Sequence, residues 1–397
     1  MSTDRPDPLA TDPSASPVSG PATNSVDVTV WLGGSPPDLA SFGQRAEAFS
    51  SEHPEVRFHL SFYGPDELLP ALAGVASSER PTILIGPSMW GPDLLQSGQI
   101  HAIPGVSLAE PPPGMLPVAW ESVESDGVVF GIPLSLSGNV WYRNLRLAPD
   151  PSPTVEDWVS AGMALRGPEA VGAALDLSYL TIAPWFWACH GSVQALDAHV
   201  VIEVQAGPCW IRLVSLIAGA GTITSDAQGD RQVFLDGRAG WLIDDTQNDA
   251  EILSALGPDF VRVDPWPVYG LSGLTIPGFV WTEAAFLVSD SDPAQLTMAA
   301  AFLDSLIQPD SQEALLNTPG TRWRTVRTDL GAIDPWKDQL LEVLRSGVLR
   351  PVLSGIPPEA EILERAARAV AVQRTEPELA WQTALDSYRL LITPTAP

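Results

Sequence analysis

A strand, a helix and a second strand follow one another within residues 26–62, and that order limits the fold more than any other feature. Val26-Asp27-Val28-Thr29-Val30-Trp31 alternates and is rich in β-branched side chains, the pattern of a half-buried strand. Gly33-Gly34-Ser35-Pro36-Pro37 is a turn. Asp38 then caps a helix whose Leu39, Phe42, Ala46 and Phe49 share one face, and His53-Pro54 stops it. Val56, Phe58, Leu60 and Phe62 alternate again. Strands joined through a helix pair in parallel with a right-handed crossover. A helix over 66–77 and a strand over 82–85 extend the pattern. In open parallel sheets ligands lie beyond the carboxyl ends of the strands. Ser35, Tyr63, Ser88 and Trp90 stand in the loops there.

A second feature lies at Gly131-Ile132-Pro133-Leu134-Ser135-Leu136-Ser137-Gly138-Asn139-Val140-Trp141-Tyr142-Arg143-Asn144. Before it the α/β pattern builds one lobe, and after it the pattern starts again. Ser135, Ser137 and Asn139 alternate with apolar neighbours and share one face of an extended backbone. That face is either the wall of a cleft between lobes or a solvated edge. Upstream, 118–133 reads as a hairpin turning at Ser125-Asp126-Gly127. Downstream, a helix begins at Thr154 and an aromatic segment runs from Tyr179 to Trp187. Strands are expected over 239–244, 260–263 and 284–288, and helices over 246–256, 293–307, 310–317, 357–373 and 376–392. Two further crossings are expected near 264–268 and 318–326.

Composition narrows the partners. A chain of 397 residues exceeds a single core, so two lobes are expected. Its net charge of −27, with Lys337 as the one lysine, opposes binding to nucleic acid or anionic membranes. The sequence holds no apolar run long enough to span a bilayer. Residues 1–25 are rich in Ser, Thr, Pro, Asp and Ala without periodicity and read as a disordered tether without the apolar core of an export signal. The 14 Trp suit either a large core or a sugar-stacking cleft. Cys189 and Cys209 have no metal-site spacing. They are either bonded, which an exported protein would allow, or two buried thiols.

Taken together, the order of motifs resembles the extracellular solute-binding proteins of ABC importers, in the sugar-binding group that includes maltose-binding protein. Val28-Thr29-Val30-Trp31 and its glycine turn are similar to the opening strand, and 81–90 with Gly98-Gln99-Ile100 to a strand, loop and helix ending in Gly. Asp126-Gly127-Val128-Val129-Phe130-Gly131-Ile132-Pro133 resembles the family's hairpin, and Tyr142-Arg143-Asn144-Leu145 through Asp157-Trp158 the run after it. Phe234-Leu235-Asp236-Gly237-Arg238-Ala239-Gly240 is the most specific match; Gly278-Phe279-Val280-Trp281 and Gly347-Val348-Leu349-Arg350-Pro351 complete the order. The resemblance implies an α/β, two-lobed periplasmic-binding-protein type II-like fold, each lobe a mostly parallel sheet flanked by helices, joined by hinge crossovers. The lobes are then 26–135 plus 268–320 and 136–267 plus 321–395. It further implies an extracytoplasmic protein whose export signal or lipid anchor is not present in this sequence. Such a protein would work as a monomer without cofactor and deliver a small solute, a carbohydrate, to the membrane subunits of an ABC importer. A ligand-sensing receptor domain on the same fold is the alternative.

Sugar recognition needs flat aromatic faces and fixed polar groups. Trp90, Trp185 and Trp281 stand at element ends, where each is either a stacking platform or core, and Tyr179 opens the aromatic segment. With Ser35, Tyr63, Ser88, Ser137 and Asn139 they are the expected ligand contacts. Asp244 and Asp245 end a strand and either accept hydroxyl hydrogen bonds or cap the next helix. Adjacent on a strand, they point to opposite faces and are not the facing carboxylates of a carbohydrate-active hydrolase. The sequence has no Gly-x-Ser-x-Gly elbow, no His spacing for a metal and no phosphate-loop lysine. A binding protein rather than an enzyme is expected.

Overall fold

The computed structural model describes residues 25–64, 67–103, 111–196, 199–223, 226–331, 334–352 and 357–392. The expected tether lies outside the described residues except for Ser25, as does the start of the expected helix over 66–77. β1 (Val26–Gly33), α1 (Pro36–Glu52) and β2 (Val56–Tyr63) form the expected unit, with the strands parallel and Val26 opposite Val56. The cap differs from expectation. Ser35 is the N-cap and Asp38 the third helical residue of a capping box. Pro36 and Pro37 have no N–H, so the first donor needing a partner is that of Asp38 itself. α2 (Leu68–Gly74) precedes β3 (Ile83–Pro87), which pairs in parallel with β1; α3 (Gly91–Gln96) follows.

The first arm of the expected 118–133 hairpin is instead α4 (Pro117–Glu121), started by Pro117 and burying Ala119 and Trp120. Only β4 (Glu124–Ser125) and β5 (Val128–Val129) pair, around Asp126 and Gly127 with φ of 52° and 77°. Both turn residues are left-handed, which suits a two-residue hairpin.

β6 (Ile132–Asn144) is the strand on which the sheet is assembled. Beyond it come α5 (Val155–Leu165), β7 (Val171–Leu175), α6 (Tyr179–Ile182), and a hairpin of β8 (Val193–Leu196) and β9 (His199–Ile202). α7 (Gly207–Ala220), β10 (Thr222–Ile223), α8 (Ala227–Leu235), β11 (Ala239–Asp245), α9 (Asp249–Leu256) and β12 (Val261–Asp264) continue the chain. The small hairpin of β13 (Val268–Tyr269) and β14 (Leu274–Thr275) leads into β15 (Phe279–Leu287), which starts earlier than its apolar run. α10 (Pro293–Leu306), α11 (Pro309–Asn317), α12 (Pro335–Arg345), β16 (Val348–Leu349), α13 (Pro358–Ala371) and α14 (Pro377–Ile392) close it.

The main sheet runs β10-β7-β11-β6-β15-β3-β1-β2, with β12 added to β6 and β16 to β15. Its outer pairs are parallel, whereas β6 and β15 pair antiparallel with each other and β6 likewise with β11 and β12. Residues 132–138 of β6 lie against β15, and 139–144 lie between β11 and β12. β6 therefore changes partners at Gly138 and Asn139, as a segment crossing between lobes must. The stretch 318–326 runs beside it, with Leu136 N donating to Arg324 O at 3.0 Å and Arg324 N to Ser135 Oγ at 2.9 Å.

Aromatic clusters fill the core at both ends of the sheet. Phe42, Phe49, Phe58 and Phe302 pack edge-on or tilted between α1, β2 and α10. Trp141, Trp158, Trp241 and Trp266 do so beyond β6. Phe186, Trp210 and Trp381 form a third cluster next to a Cys189–Cys209 disulfide with Cα atoms 5.7 Å apart. No helix among the described residues is long and apolar enough to cross a membrane.

Candidate functional site

The pairing registers at the partner change of β6 bring separate sequence segments together. Trp281 on β15 stands opposite Ser137, while Asp245 on β11 stands opposite Asn139 and Asp244 opposite Val140. A cavity of about 340 Å³ opens at this place, lined by Asn139, Asp244, Asp245 and Trp281. Its wall also includes Pro87 at the end of β3 and Met89 just beyond it, Asp176, Ser178, Leu180 and Thr181 after β7, Arg231 on α8, Gln247, and Arg350 after β16. A recess of about 20 Å³ adjoins it through the shared Gln247, lined also by Ser135, Ser137, Glu283, Arg322 and Arg324. A larger groove of about 610 Å³ lies between the β4–β5 hairpin and the β8 strand with Trp187. We take the 340 Å³ cavity as the site because polar side chains from several elements and Trp281 converge there, beside the partner change of β6.

The charges in the cavity are unevenly satisfied. Arg231 holds Asp244 through two bonds, Nε to Oδ2 at 2.6 Å and Nη2 to Oδ1 at 3.2 Å, and this contact raises the Arg231 pKa. Asn248 Nδ2 adds a donor to Asp244 at 3.1 Å. Asp245 accepts from Gln247 N at 2.8 Å, so it caps the turn Thr246–Asn248 while also lining the cavity. Burial, opposed by that N–H and reinforced by Asp244, pushes the Asp245 carboxyl up to about 6. Arg350 donates to the Met89 sulfur at 3.0 Å, and burial lowers its pKa. Asn139 Nδ2 donates to Leu180 O at 3.2 Å, joining β6 to α6. Trp281 is 7% exposed and lines the cavity.

Other expected contacts lie elsewhere. Ser35 is occupied at the head of α1, its Oγ donating to Asp38 Oδ2 at 2.5 Å. The Tyr63 ring packs against Trp31 at 4.9 Å. Ser88 is buried, its Oγ accepting from Thr282 N at 3.4 Å. Trp90 is half-buried with its ring across Gly86, where a β-carbon would come within 2.1 Å of it. None of the four lines the cavity, although Pro87 and Met89 beside them do. Tyr179 and Trp185 are corrections: both are core residues, and Trp185 is fully buried. Pro184 opens a 3₁₀ turn over Ala183–Cys189 that buries Trp185 and leaves Trp187 half-exposed. Burial also raises the Tyr179 hydroxyl pKa. The residues the sequence reading missed are Asp176, Arg231, Gln247, Glu283 and Arg350. Arg350 sits inside a quoted motif; the others carry no local signal, because their partners lie on distant strands.

The set can present an aromatic face, carboxylates, amides and a guanidinium to one small molecule, the combination that binds vicinal hydroxyls. Among the described residues no cluster of His, Cys, Asp and Glu is arranged to hold a metal ion.

Comparison with known proteins adds the following. The family model described as bacterial extracellular solute-binding protein matches residues 44–342. A search of curated proteins finds no match. Among solved structures, the maltose-binding periplasmic protein of Listeria monocytogenes in complex with maltose is similar, at 14% identity and a TM-score of 0.76, over 94% of this chain and 99% of that one. The cyclic α-maltosyl-1,6-maltose binding protein of Arthrobacter globiformis is similar at 18% identity and 0.75, over 92% and 99%. The GacH receptor of Streptomyces glaucescens, solved unliganded and with acarbose, is similar at 16% identity and 0.70, over 94% and 100%. At these identities the likeness is one of fold, the two-lobed binding-protein fold.

Proposed function

The chain belongs to the bacterial extracellular solute-binding protein family, and on that premise we propose that its cavity captures a sugar or sugar-like solute. The observation that carries this reading is Trp281 in the cavity wall beside Asn139, Asp245 and Arg350. An indole face covers the CH side of a pyranose, carboxylate and amide accept and donate to hydroxyls, and a guanidinium donates to their oxygens. The three solved relatives named above are bound to, or named for, maltose-type sugars or acarbose, and this supports the ligand class. We assign the lobes as 26–135 plus 268–320 and 136–267 plus 321–395, with capture by closure about β6 and the stretch 318–326. The captured solute then passes, outside the cytoplasmic membrane, to the membrane subunits of an ABC importer.

Isothermal titration calorimetry against maltose, maltotriose, other mono- and disaccharides, polyols and amino acids tests this directly. At least one sugar should bind with a Kd in the micromolar range, on the order of −8 kcal/mol. Small-angle scattering should then show compaction on its addition. Saturable binding of an amino acid with no response to any sugar overturns the ligand class.

A further inference from the structure

Arg350 lines the cavity without a carboxylate partner among the described residues. The other arginines of the cavity and its adjoining recess each hold an aspartate: Arg231 holds Asp244 at 2.6 Å, Arg322 holds Asp38 at 3.0 Å and Arg324 holds Asp249 at 2.8 Å. The side-chain partner of Arg350 is the Met89 sulfur, 3.0 Å from Nη1. A thioether is a weak, uncharged acceptor, whereas a guanidinium carries five N–H donors in a planar fork. The side chain is half-buried, and burial lowers its pKa, so water compensates the charge incompletely.

The backbone holds this side chain beside Trp281. β16 pairs in parallel with β15, Val348 opposite Phe279 and Leu349 opposite Val280. Arg350 N extends the ladder, donating to Val280 O at 2.9 Å. The next step along both strands is Trp281 and Arg350, and both line the cavity. The carboxylates of the cavity are engaged with other donors. Asp244 is held by Arg231, Asp176 Oδ1 accepts from Ser178 N at 3.1 Å, and Asp245 Oδ1 accepts from Gln247 N at 2.8 Å. An indole next to an uncompensated guanidinium matches a pyranose with a carboxylate at its rim. The apolar face of the ring meets the indole, and both carboxylate oxygens meet the fork. A neutral sugar offers hydroxyl oxygens to the same donors but no charge.

We propose that the solute of this cavity is an acidic sugar, a pyranose bearing one carboxylate that Arg350 takes beside Trp281. The inference rests on the sugar reading of the cavity and narrows it to uronic acids and their glycosides. One guanidinium balances one negative charge. A phosphate ester carries about two at neutral pH and would leave one unbalanced near Asp176 and Asp245, so the carboxylate is the oxyanion that fits. The chain's net charge of −27 acts through solvent and is screened beyond about 10 Å at about 0.1 M salt, whereas Arg350 acts in contact.

Calorimetry at about pH 7, where a sugar carboxyl is ionised, tests this. The probes are the methyl glycosides of glucuronate, galacturonate and mannuronate, each beside the methyl glycoside of the matching neutral hexose, with glucose 6-phosphate as the second oxyanion. At least one uronate should bind about tenfold to a hundredfold tighter than its neutral counterpart. Arg350→Gln should bring that uronate down to the affinity of the neutral sugar. Arg350→Lys, which keeps the charge without the fork, should retain part of the preference. The melting temperature of ligand-free Arg350→Gln should match the wild type, because the side chain holds no carboxylate of the protein; a drop of several degrees would give the guanidinium a structural role and overturn the assignment. Neutral sugars that bind as tightly as the uronates overturn the proposal and leave the sugar reading standing. A preference for glucose 6-phosphate, or a uronate preference that survives Arg350→Gln, also overturns it. No binding of any sugar, acidic or neutral, overturns both.

Discussion

Asp38 and Arg322, 284 positions apart, are joined twice: Arg322 N donates to Asp38 Oδ1 at 2.7 Å and Arg322 Nε to Oδ2 at 3.0 Å. The same carboxylate closes the capping box with Ser35. One side chain thus ties the turn after β1 to the third crossing. Asp38→Ala should cost about 2–3 kcal/mol of stability, below the figure for a sealed ion pair because the Arg322 side chain is 26% exposed and can rehydrate. Urea unfolding measures it, and a loss of under about 0.5 kcal/mol would show that the tie is incidental.

Gly138 is where β6 changes partners, and a β-carbon there would lie 2.5 Å from Phe279 O and 2.9 Å from Val280 Cα. These are backbone atoms of β15 and cannot swing aside. Gly138→Ala should force the strands apart at the crossing and cost about 1–3 kcal/mol. A variant as stable as the wild type in thermal unfolding would mean that the crossing is more pliable than its packing indicates.

Trp281 and Trp90 make a matched pair of tests. Trp281→Ala removes part of the cavity wall, so sugar affinity should drop by about 1–3 kcal/mol, tenfold to a hundredfold or more. Trp90→Ala empties the space over Gly86, so it should cost about 3 kcal/mol of stability and leave affinity per folded molecule unchanged. Melting temperature and calorimetry on both variants separate the roles. The opposite pattern would move the binding surface to the loop after β3.

The Cys189–Cys209 bond closes a loop across 20 positions and fastens the 3₁₀ turn after α6 to α7. Loop closure of this size contributes about 3 kcal/mol. Reductant should therefore lower the melting temperature by several degrees, and alkylation of unreduced protein should label neither thiol. Two labelled cysteines in native protein count decisively against the bond.

Several site features were open to a reader of the sequence. Ser135, Ser137 and Asn139 share a face by simple alternation, and in the fold that face meets the recess and the cavity. Asp244 and Asp245 end their strand as expected, and Asp245 serves both the cap and the cavity. The aromatic candidates were harder, because composition and spacing do not distinguish a wall residue from a core residue. Trp185 and Trp281 both stand at element ends, yet the 3₁₀ turn after Pro184 buries one ring completely and β15 brings the other to the cavity.

What the sequence determined by itself is local: the strand–helix–strand opening, the helix faces, the left-handed turn at Asp126 and Gly127, and the long segment on which the sheet is assembled. These follow from backbone periodicity and turn chemistry among near neighbours, and a reader can check them residue by residue. Only the tertiary structure decided that Arg231 neutralises Asp244, that Arg322 meets Asp38, and that Glu283 reaches Gln247 with no cation of its own among the described residues. Such pairs depend on strand order and register across crossings that separate them widely in sequence. A one-residue slip, like the one beside Glu283, turns side chains to the other face without leaving a local trace.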